Sequence, residues 1–186
     1  MKRLAYLFAA LLMLLPSACG FELRAQEGSA DSLIVISKED MTLRLLDGQG
    51  QVLLQYPIAC GKNYGNKQKP GDMKTPEGVF SISEIVDASG WTHDFGDGKG
   101  EIAGAYGPFF IRLVTPGHRG IGIHGTHKPE SIGTRDTEGC IRLHNDDLRQ
   151  LVGHVRVGMT VVILPSWRDA LAGQQFVMRG SALSAL

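Results

Sequence analysis

Short apolar runs separated by turns rich in glycine and proline dominate the hydrophobic pattern of this chain. Residues 41–46 alternate in polarity, and the turn signal Asp-Gly-Gln-Gly at 47–50 connects them to the apolar run 51–59, which predicts a β-hairpin. Runs rich in Val, Ile and Phe predict further strands at residues 33–36, 79–85, 109–114, 120–124 and 160–164. The pattern therefore predicts a mainly β, single-domain fold, sandwich-like or built on a folded sheet, with one or two short helices.

The clearest helical pattern begins near Asn145. Asn145 is a favourable N-cap, two aspartates follow it in the first turn, and Leu148 and Leu151 fall on one face. By contrast, residues 166–186 show no clear element, and their role stays open.

Two connections are longer than loops in compact domains usually are. The first covers residues 61–78, and the second covers residues 86–107, with many glycines and the aromatic residues Trp91 and Tyr106. Long loops inside a compact domain are often functional. We therefore expect the second loop to form a lid or a cleft wall, with Tyr106 offering a flat contact surface.

The first 25 residues have the organisation of a secretory signal peptide. Lys2 and Arg3 precede an uncharged apolar run over residues 4–15. At about 1.5 Å per residue this run reaches only about 18 Å, which is short for a hydrocarbon core of about 30 Å. We therefore expect an exported protein of the periplasm or cell envelope rather than one with a permanent transmembrane anchor.

The end of this segment has two interpretations. The tripeptide that ends at Cys19 resembles the end of a bacterial lipobox, in which the cysteine is lipidated and becomes the mature N-terminus. Lipidation would attach the protein to a membrane. Pro16 departs from the lipobox pattern, and plain cleavage after Gly20 or Ala25 is the alternative. Both interpretations place the folded domain, residues 32–165, outside the cytoplasm.

The composition argues against nucleic acid as a partner. The chain has 19 Lys and Arg against 19 Asp and Glu, a formal net charge of zero, and only 7% aromatic residues. Affinity for nucleic acid depends on neutralising several phosphates together, and no cluster of basic residues is available for that.

A cysteine and a histidine mark the two ends of one loop. Cys140 follows Gly139 at a position suited to a sharp turn, and His124 ends an apolar strand. An ordinary cysteine has a pKa of about 8.5 and needs a neighbouring base to act as a nucleophile at neutral pH. The pattern predicts Cys140 as a thiol nucleophile, His124 as its base, and the Gly139 and Cys140 amides as oxyanion donors.

Metal ligation by His118, His124 and His127 is the competing interpretation. The chain has no His-Glu-x-x-His helix and no Cys-x-x-Cys pair, so the spacing does not favour zinc, and we expect neither a metal nor another cofactor. Cys60 ends an apolar strand and is expected to be a small buried residue rather than a second reactive thiol.

At these residues the chain resembles the L,D-transpeptidase catalytic domain, the YkuD family. The signature of that family joins a strand-borne His to Ser/Thr-His-Gly-Cys, followed closely by Arg or Asn. Residues 75–80 and 107–110 resemble two further landmarks, so the resemblance covers residues 32–164. The residues that match the signature around the nucleophile are Thr137, Gly139, Cys140 and Arg142.

The resemblance also implies roles for neighbouring residues. The backbone carbonyl of Gly125 is expected to orient the His124 imidazole. Independently of the resemblance, the charge of Arg142 between the apolar residues Ile141 and Leu143 indicates that it fixes a substrate carboxylate or a neighbouring loop, with an ion pair to Asp146 or Asp147 as the structural alternative.

Three further side chains are expected to line or shape the substrate cleft. Thr126 and Thr137 belong to the loop that connects base and nucleophile, and Thr137 is also expected to hydrogen-bond within it. Glu138 departs from the signature, because it stands where many members carry His. Its carboxylate beside the acceptor channel is expected to favour a cationic amine.

The function that the resemblance implies is peptidoglycan L,D-transpeptidation. Cys140 would attack the amide between the third and fourth residues of a stem peptide, a D-amino acid would leave, and the amine of a second stem would resolve the thioester. Hydrolysis of the same thioester would instead make the protein an L,D-carboxypeptidase or endopeptidase. A non-catalytic peptidoglycan-binding module is the third interpretation.

Overall fold

The computed structural model describes residues 31–174, which are built around one curled, eight-stranded sheet. The strands are β1 (Leu33–Ser37), β2 (Thr42–Leu46), β3 (Val52–Pro57), β4 (Cys60–Gly61), β5 (Gly78–Asp87), β6 (Thr92–Asp94), β7 (Glu101–Ala103), β8 (Phe109–Val114), β9 (Gly122–His124), β10 (Arg135–Thr137), β11 (Ile141–Arg142) and β12 (Thr160–Leu164). The spatial order in the main sheet is β11-β9-β8-β5-β12-β1-β2-β3, and the remaining strands form two small pairs, β4 with β10 and β6 with β7.

The predicted mainly β fold is confirmed, and the long apolar runs fold as the pattern indicates. The antiparallel β2–β3 pair is the predicted hairpin, and β8 and β12 have the predicted bounds. In β2 every second residue is buried, which is the period expected of a strand with one face on the core. Ile34, Leu43 and Val161 are fully buried members of that core.

Five short strands were not predicted. All five, β4, β6, β7, β10 and β11, are two or three residues long, too short for a hydrophobic period to be read. They nevertheless position the site, because β11 pairs in parallel with β9 and places Arg142 opposite His124. β10 pairs with β4 and fixes the chain just before Cys140.

The predicted helix is confirmed as α1 (Asn145–Val152), with Leu148 and Leu151 fully buried against the sheet. Its N-cap is His144 rather than Asn145, so that part of the prediction was wrong. The Asn145 amide instead exchanges two hydrogen bonds with the backbone of Thr126, at 2.8 and 3.1 Å. A tertiary partner has replaced the local cap.

Part of the C-terminal segment forms a helix that the sequence interpretation missed, α2, over residues 167–174. Ser166 and Asp169 make a capping box at its start: the Asp169 amide donates to Ser166 Oγ, and the Ser166 amide donates to Asp169 Oδ2. The Ser-x-x-Asp spacing was the available signal.

The signal peptide and the lipidation of Cys19 lie outside the described residues. Within residues 31–174, no helix combines the length and the hydropathy that a membrane crossing requires.

Candidate active site

A cavity of about 580 Å³ contains both residues of the predicted catalytic pair. His124 lies at the end of β9, and Cys140 lies in the turn between β10 and β11. Tyr106, His93 and Glu138 complete the same wall. The sheet therefore brings together a base and a thiol that are separated by a whole loop in sequence.

The His124 ring is fixed by its neighbour in the chain. His124 is only 4% exposed, and its Nδ1–H donates to the Gly125 carbonyl at 2.6 Å, the orientation that the resemblance implies. That bond leaves Nε2 as the acceptor. Gly125 must be glycine, because a Cβ there would lie 2.2 Å from Asn145 Oδ1 and 3.0 Å from the Cα of Gly107.

Aromatic rings enclose the imidazole. Phe110 stacks parallel to it with centroids 5.7 Å apart, and Tyr106 presents an edge at 5.0 Å. Burial lowers the pKa of His124 to about 3, against the opposing effect of the bond to Gly125 and with help from the charge of Arg142. The imidazole is therefore neutral at physiological pH and ready to accept a proton.

The thiol is also uncharged at rest. Cys140 Sγ–H donates to the Gly120 carbonyl at 3.3 Å. Burial raises the pKa of Cys140 to about 11, although the Gly122 amide and the charge of Lys67 act in the opposite direction. The resting pair is thus thiol and neutral imidazole, and not a thiolate beside an imidazolium.

The turn that presents the thiol is held by two threonines. Thr137 Oγ1 donates to the Cys140 carbonyl at 2.6 Å and accepts from the Gly139 amide at 3.1 Å. Thr75 Oγ1 donates to the Gly139 carbonyl at 2.9 Å and accepts from the Gly61 amide at 2.8 Å. Gly139 has φ +140°, and a Cβ would lie 2.7 Å from the Lys74 carbonyl.

These contacts correct two expectations. The Gly139 amide is already engaged by Thr137, so of the two predicted oxyanion donors the Cys140 amide remains. The Thr137 hydroxyl serves the turn, as also expected, although the residue lines the cavity. Thr126 is buried, its Oγ1 accepts from the Lys128 amide, and it is not among the residues that line the cavity.

Arg142 stabilises a loop. Its Nη1 donates to Ser131 Oγ at 2.7 Å and to Asp136 Oδ2 at 2.8 Å, and the residue is 3% exposed. Of its two predicted roles, the structure shows the loop contact. The alternative ion pair to Asp146 or Asp147 was wrong, because Arg142 is buried below the loop 126–137 and Asp146 pairs with Arg149 on the surface.

Sequence reasoning missed four residues that shape the site. Thr75 and Phe110 lie within the recognised landmarks but received no role, and Asn145 was interpreted as a local cap. His93 lies on β6, a strand too short to be predicted. His118 also lines the cavity, but no group of three or more His, Cys, Asp or Glu side chains within residues 31–174 is placed to hold a metal ion.

Comparison with known proteins shows which family the chain belongs to. The family model of YkuD, the L,D-transpeptidase catalytic domain, matches residues 31–163. The YkuD protein of Bacillus licheniformis is 33% identical over 132 residues, which cover 71% of this chain and 65% of that protein, slightly less than two thirds of its length.

Solved structures agree on the fold. The catalytic domain of the E. faecium L,D-transpeptidase superposes with a TM-score of 0.54 at 22% identity, covering 72% of this chain and 97% of that domain. L,D-transpeptidase 3 of Mycobacterium tuberculosis, in complex with a faropenem-derived adduct, gives 0.53 at 15% identity over 72% of this chain and 60% of that one. Together with the family model, these matches show that the chain belongs to the YkuD family of L,D-transpeptidase catalytic domains.

Proposed function

We propose that this protein is a cysteine-dependent L,D-transpeptidase that acts on peptidoglycan stem peptides. The observation that carries the proposal is the shared cavity of Cys140 and His124, with the imidazole held in the tautomer that can accept the thiol proton. Membership of the YkuD family supports the reaction class.

In the first half-reaction His124 Nε2 takes the Cys140 proton while Sγ attacks the carbonyl of the third stem residue. The Cys140 amide stabilises the oxyanion. The C–N bond to the fourth residue then breaks, and the proton passes from His124 to the departing amine, so a D-amino acid leaves and a thioester remains.

In the second half-reaction an amine attacks the thioester. A C–N bond forms, the C–S bond breaks, and the proton of the amine returns through His124 to sulfur. Water in place of the amine would give hydrolysis. The neutral resting pair supports this sequence, because transfer of the thiol proton can then coincide with attack.

Mass spectrometry of the protein after incubation with a stem tetrapeptide tests the proposal. We expect a thioester on Cys140, its loss in Cys140→Ala, and its retention in Cys60→Ser, because Cys60 is fully buried beside Met41 Sδ. A turnover in Cys140→Ala equal to that of the wild type would exclude Cys140 as the nucleophile. Binding without any adduct would favour the non-catalytic module.

His124→Gln should lower turnover by roughly 10²- to 10⁴-fold, the usual range for general acid–base catalysis. Activity of the wild type should not respond to a chelator. A chelator-sensitive wild type would contradict the thiol mechanism and favour a metal.

We also propose export to the cell envelope, with Cys19 as a lipid attachment point. The charged, apolar and small-residue order of residues 1–25 supports export. Metabolic labelling with a fatty acid, compared between the wild type and Cys19→Ser, tests attachment. Unlabelled protein in the periplasmic fraction would contradict lipidation and favour cleavage of the signal peptide without a lipid anchor.

A further inference from the structure

The candidate active site has one carboxylate among several basic side chains. Within the described residues, Glu138 is the only acidic side chain that lines the cavity. Lys67, Arg119 and Arg142 also line it, and Lys67 and Arg142 pair with Asp72 and Asp136, each at 2.8 Å. The negative charge of Glu138 is therefore the one to which a cationic substrate group could bind.

A hydrogen-bonded chain holds this carboxylate. Tyr106 Oη lies 3.0 Å from His93 Nδ1, and His93 Nε2 lies 3.2 Å from Glu138 Oε2. Burial and the nearby Cys140 and Glu138 raise the pKa of Tyr106, so the phenol stays protonated. Its hydroxyl donates a hydrogen bond to His93 Nδ1. His93 then donates through Nε2–H to the carboxylate, which stays an acceptor.

The position of His93 is fixed from several sides. Its ring meets the Phe95 ring edge-on at 4.5 Å and the Tyr106 ring at 5.6 Å. Glu138 itself belongs to the turn held by Thr137, two residues before the nucleophile. Its side chain is 39% exposed, so the carboxylate is oriented by His93 yet open to the cavity. Such preorganisation is typical of a binding site.

We propose that Glu138, oriented by His93 and Tyr106, binds the ammonium group of the acceptor in the second half-reaction. The inference rests on the proposed function, in which an amine resolves the thioester. It assigns to Glu138 the discrimination between an acceptor amine that is cationic at neutral pH and one that is uncharged.

The proton balance is simple. The ammonium binds to Glu138 and releases one proton to water, which leaves the free amine beside the thioester. The amine then attacks, the C–N bond forms and the C–S bond breaks, and the second proton reaches sulfur through His124. Glu138 thus selects and positions the acceptor without changing its own covalent state.

The test uses the full chain and one acyl-enzyme population with two competing acceptors. The thioester on Cys140 is formed with a stem tetrapeptide and is offered a diamino acid, whose side-chain amine is cationic, together with hydroxylamine, which is largely uncharged at neutral pH. The ratio of the amide formed from the diamino acid to the hydroxamate formed from hydroxylamine is measured by mass spectrometry. Because both products come from the same thioester, the ratio does not depend on the rate of acylation.

In Glu138→Gln the ratio of diamino acid product to hydroxylamine product should fall by about tenfold, since a charge-assisted hydrogen bond is typically worth at least that factor. His93→Gln should lower it by a smaller factor, because the carboxylate remains but loses its orientation. Glu130→Gln, an exposed carboxylate on the 3-10 turn Pro129–Ser131, is the matched control and should leave the ratio unchanged.

An unchanged product ratio in Glu138→Gln would contradict the binding of the acceptor ammonium by Glu138 and would leave the transpeptidase mechanism intact. If Glu138→Gln forms no thioester on Cys140, an unchanged product ratio in His93→Gln would contradict the same role of Glu138. A wild type that forms no acyl-enzyme at all would instead refute the proposed function, and the acceptor site with it.

Discussion

At the scale of single residues, the catalytic pair is held in its uncharged form. Burial lowers the pKa of His124 and raises that of Cys140, so the two shifts favour thiol and neutral imidazole together. In the proposed mechanism the thiolate would therefore form only when a substrate engages the site, unlike in cysteine enzymes with a preformed ion pair.

Alkylation of Cys140 by iodoacetamide should accordingly keep accelerating as the pH rises from 6 to 10, because the pKa of the thiol is raised to about 11. The measurement is the rate of adduct formation in Cys60→Ser, where Cys140 is the thiol under study in the folded domain. A plateau of the rate below pH 8 would indicate a thiolate–imidazolium pair and contradict the neutral resting state.

Thr75 holds the turn that contains Gly139 and Cys140 in place. Its buried hydroxyl connects the Gly61 amide to the Gly139 carbonyl. Thr75→Val removes both bonds with little change of shape and should cost about 1–3 kcal/mol of unfolding free energy and slow acylation. Thr75→Ser keeps the hydroxyl and should stay near the wild type in both measurements. Equal behaviour of the two variants would exclude this anchoring role.

At the scale of elements, α2 is attached to the catalytic half of the sheet through Asp169. The buried carboxylate accepts from the Gly65 amide at 2.7 Å and from Arg135 at 2.6 Å, and it lies 3.2 Å from Lys38 Nζ. Arg135 belongs to β10, the strand that leads to Cys140. The C-terminal helix therefore supports the long loop and the strand that precede Cys140 in the fold.

Asp169→Asn should lower the free energy of unfolding by about 3 kcal/mol, because it leaves the fully buried Lys38 and the nearly buried Arg135 without one charge partner. Asp146→Asn is the matched control, since its ion pair with Arg149 lies at the surface and should contribute no measurable stability. Urea denaturation compares them. Similar urea midpoints for Asp169→Asn and Asp146→Asn would contradict the stabilising role of Asp169.

At the scale of the whole molecule, the buried groups define a pH window of stability. His124 has a folded pKa of about 3 against an ordinary 6.5, so the unfolded chain binds the extra proton and stability is lost as pH falls below about 6.5. Asp169, with its pKa lowered to about 2 from 3.8, adds a further loss below about pH 4. For Cys140, raised to about 11 from 9.0, the folded state keeps the proton longer, and stability is lost above about pH 9.

The melting temperature should therefore be highest between about pH 6.5 and 9 and decline on both sides. His124→Gln should flatten the decline between pH 6.5 and 4, and Cys140→Ser should reduce the decline above pH 9. Thermal melts across this range check both limbs. An unchanged acid limb in His124→Gln would mean that His124 is not held neutral in the folded state.

The sequence by itself determined the mainly β class, the long strands, the helix α1 and the family, because these depend on periods and motifs within one stretch of chain. It also identified Cys140 and His124 as a pair. Only the tertiary structure decided which neighbours complete the site: Asn145 bonds to the loop after His124, Arg142 pairs with Asp136, and His93 reaches Glu138 from a separate hairpin. The physical reason is that hydrogen bonds and ion pairs form between side chains at any separation in sequence, and strands of two or three residues are too short to signal where they will pair.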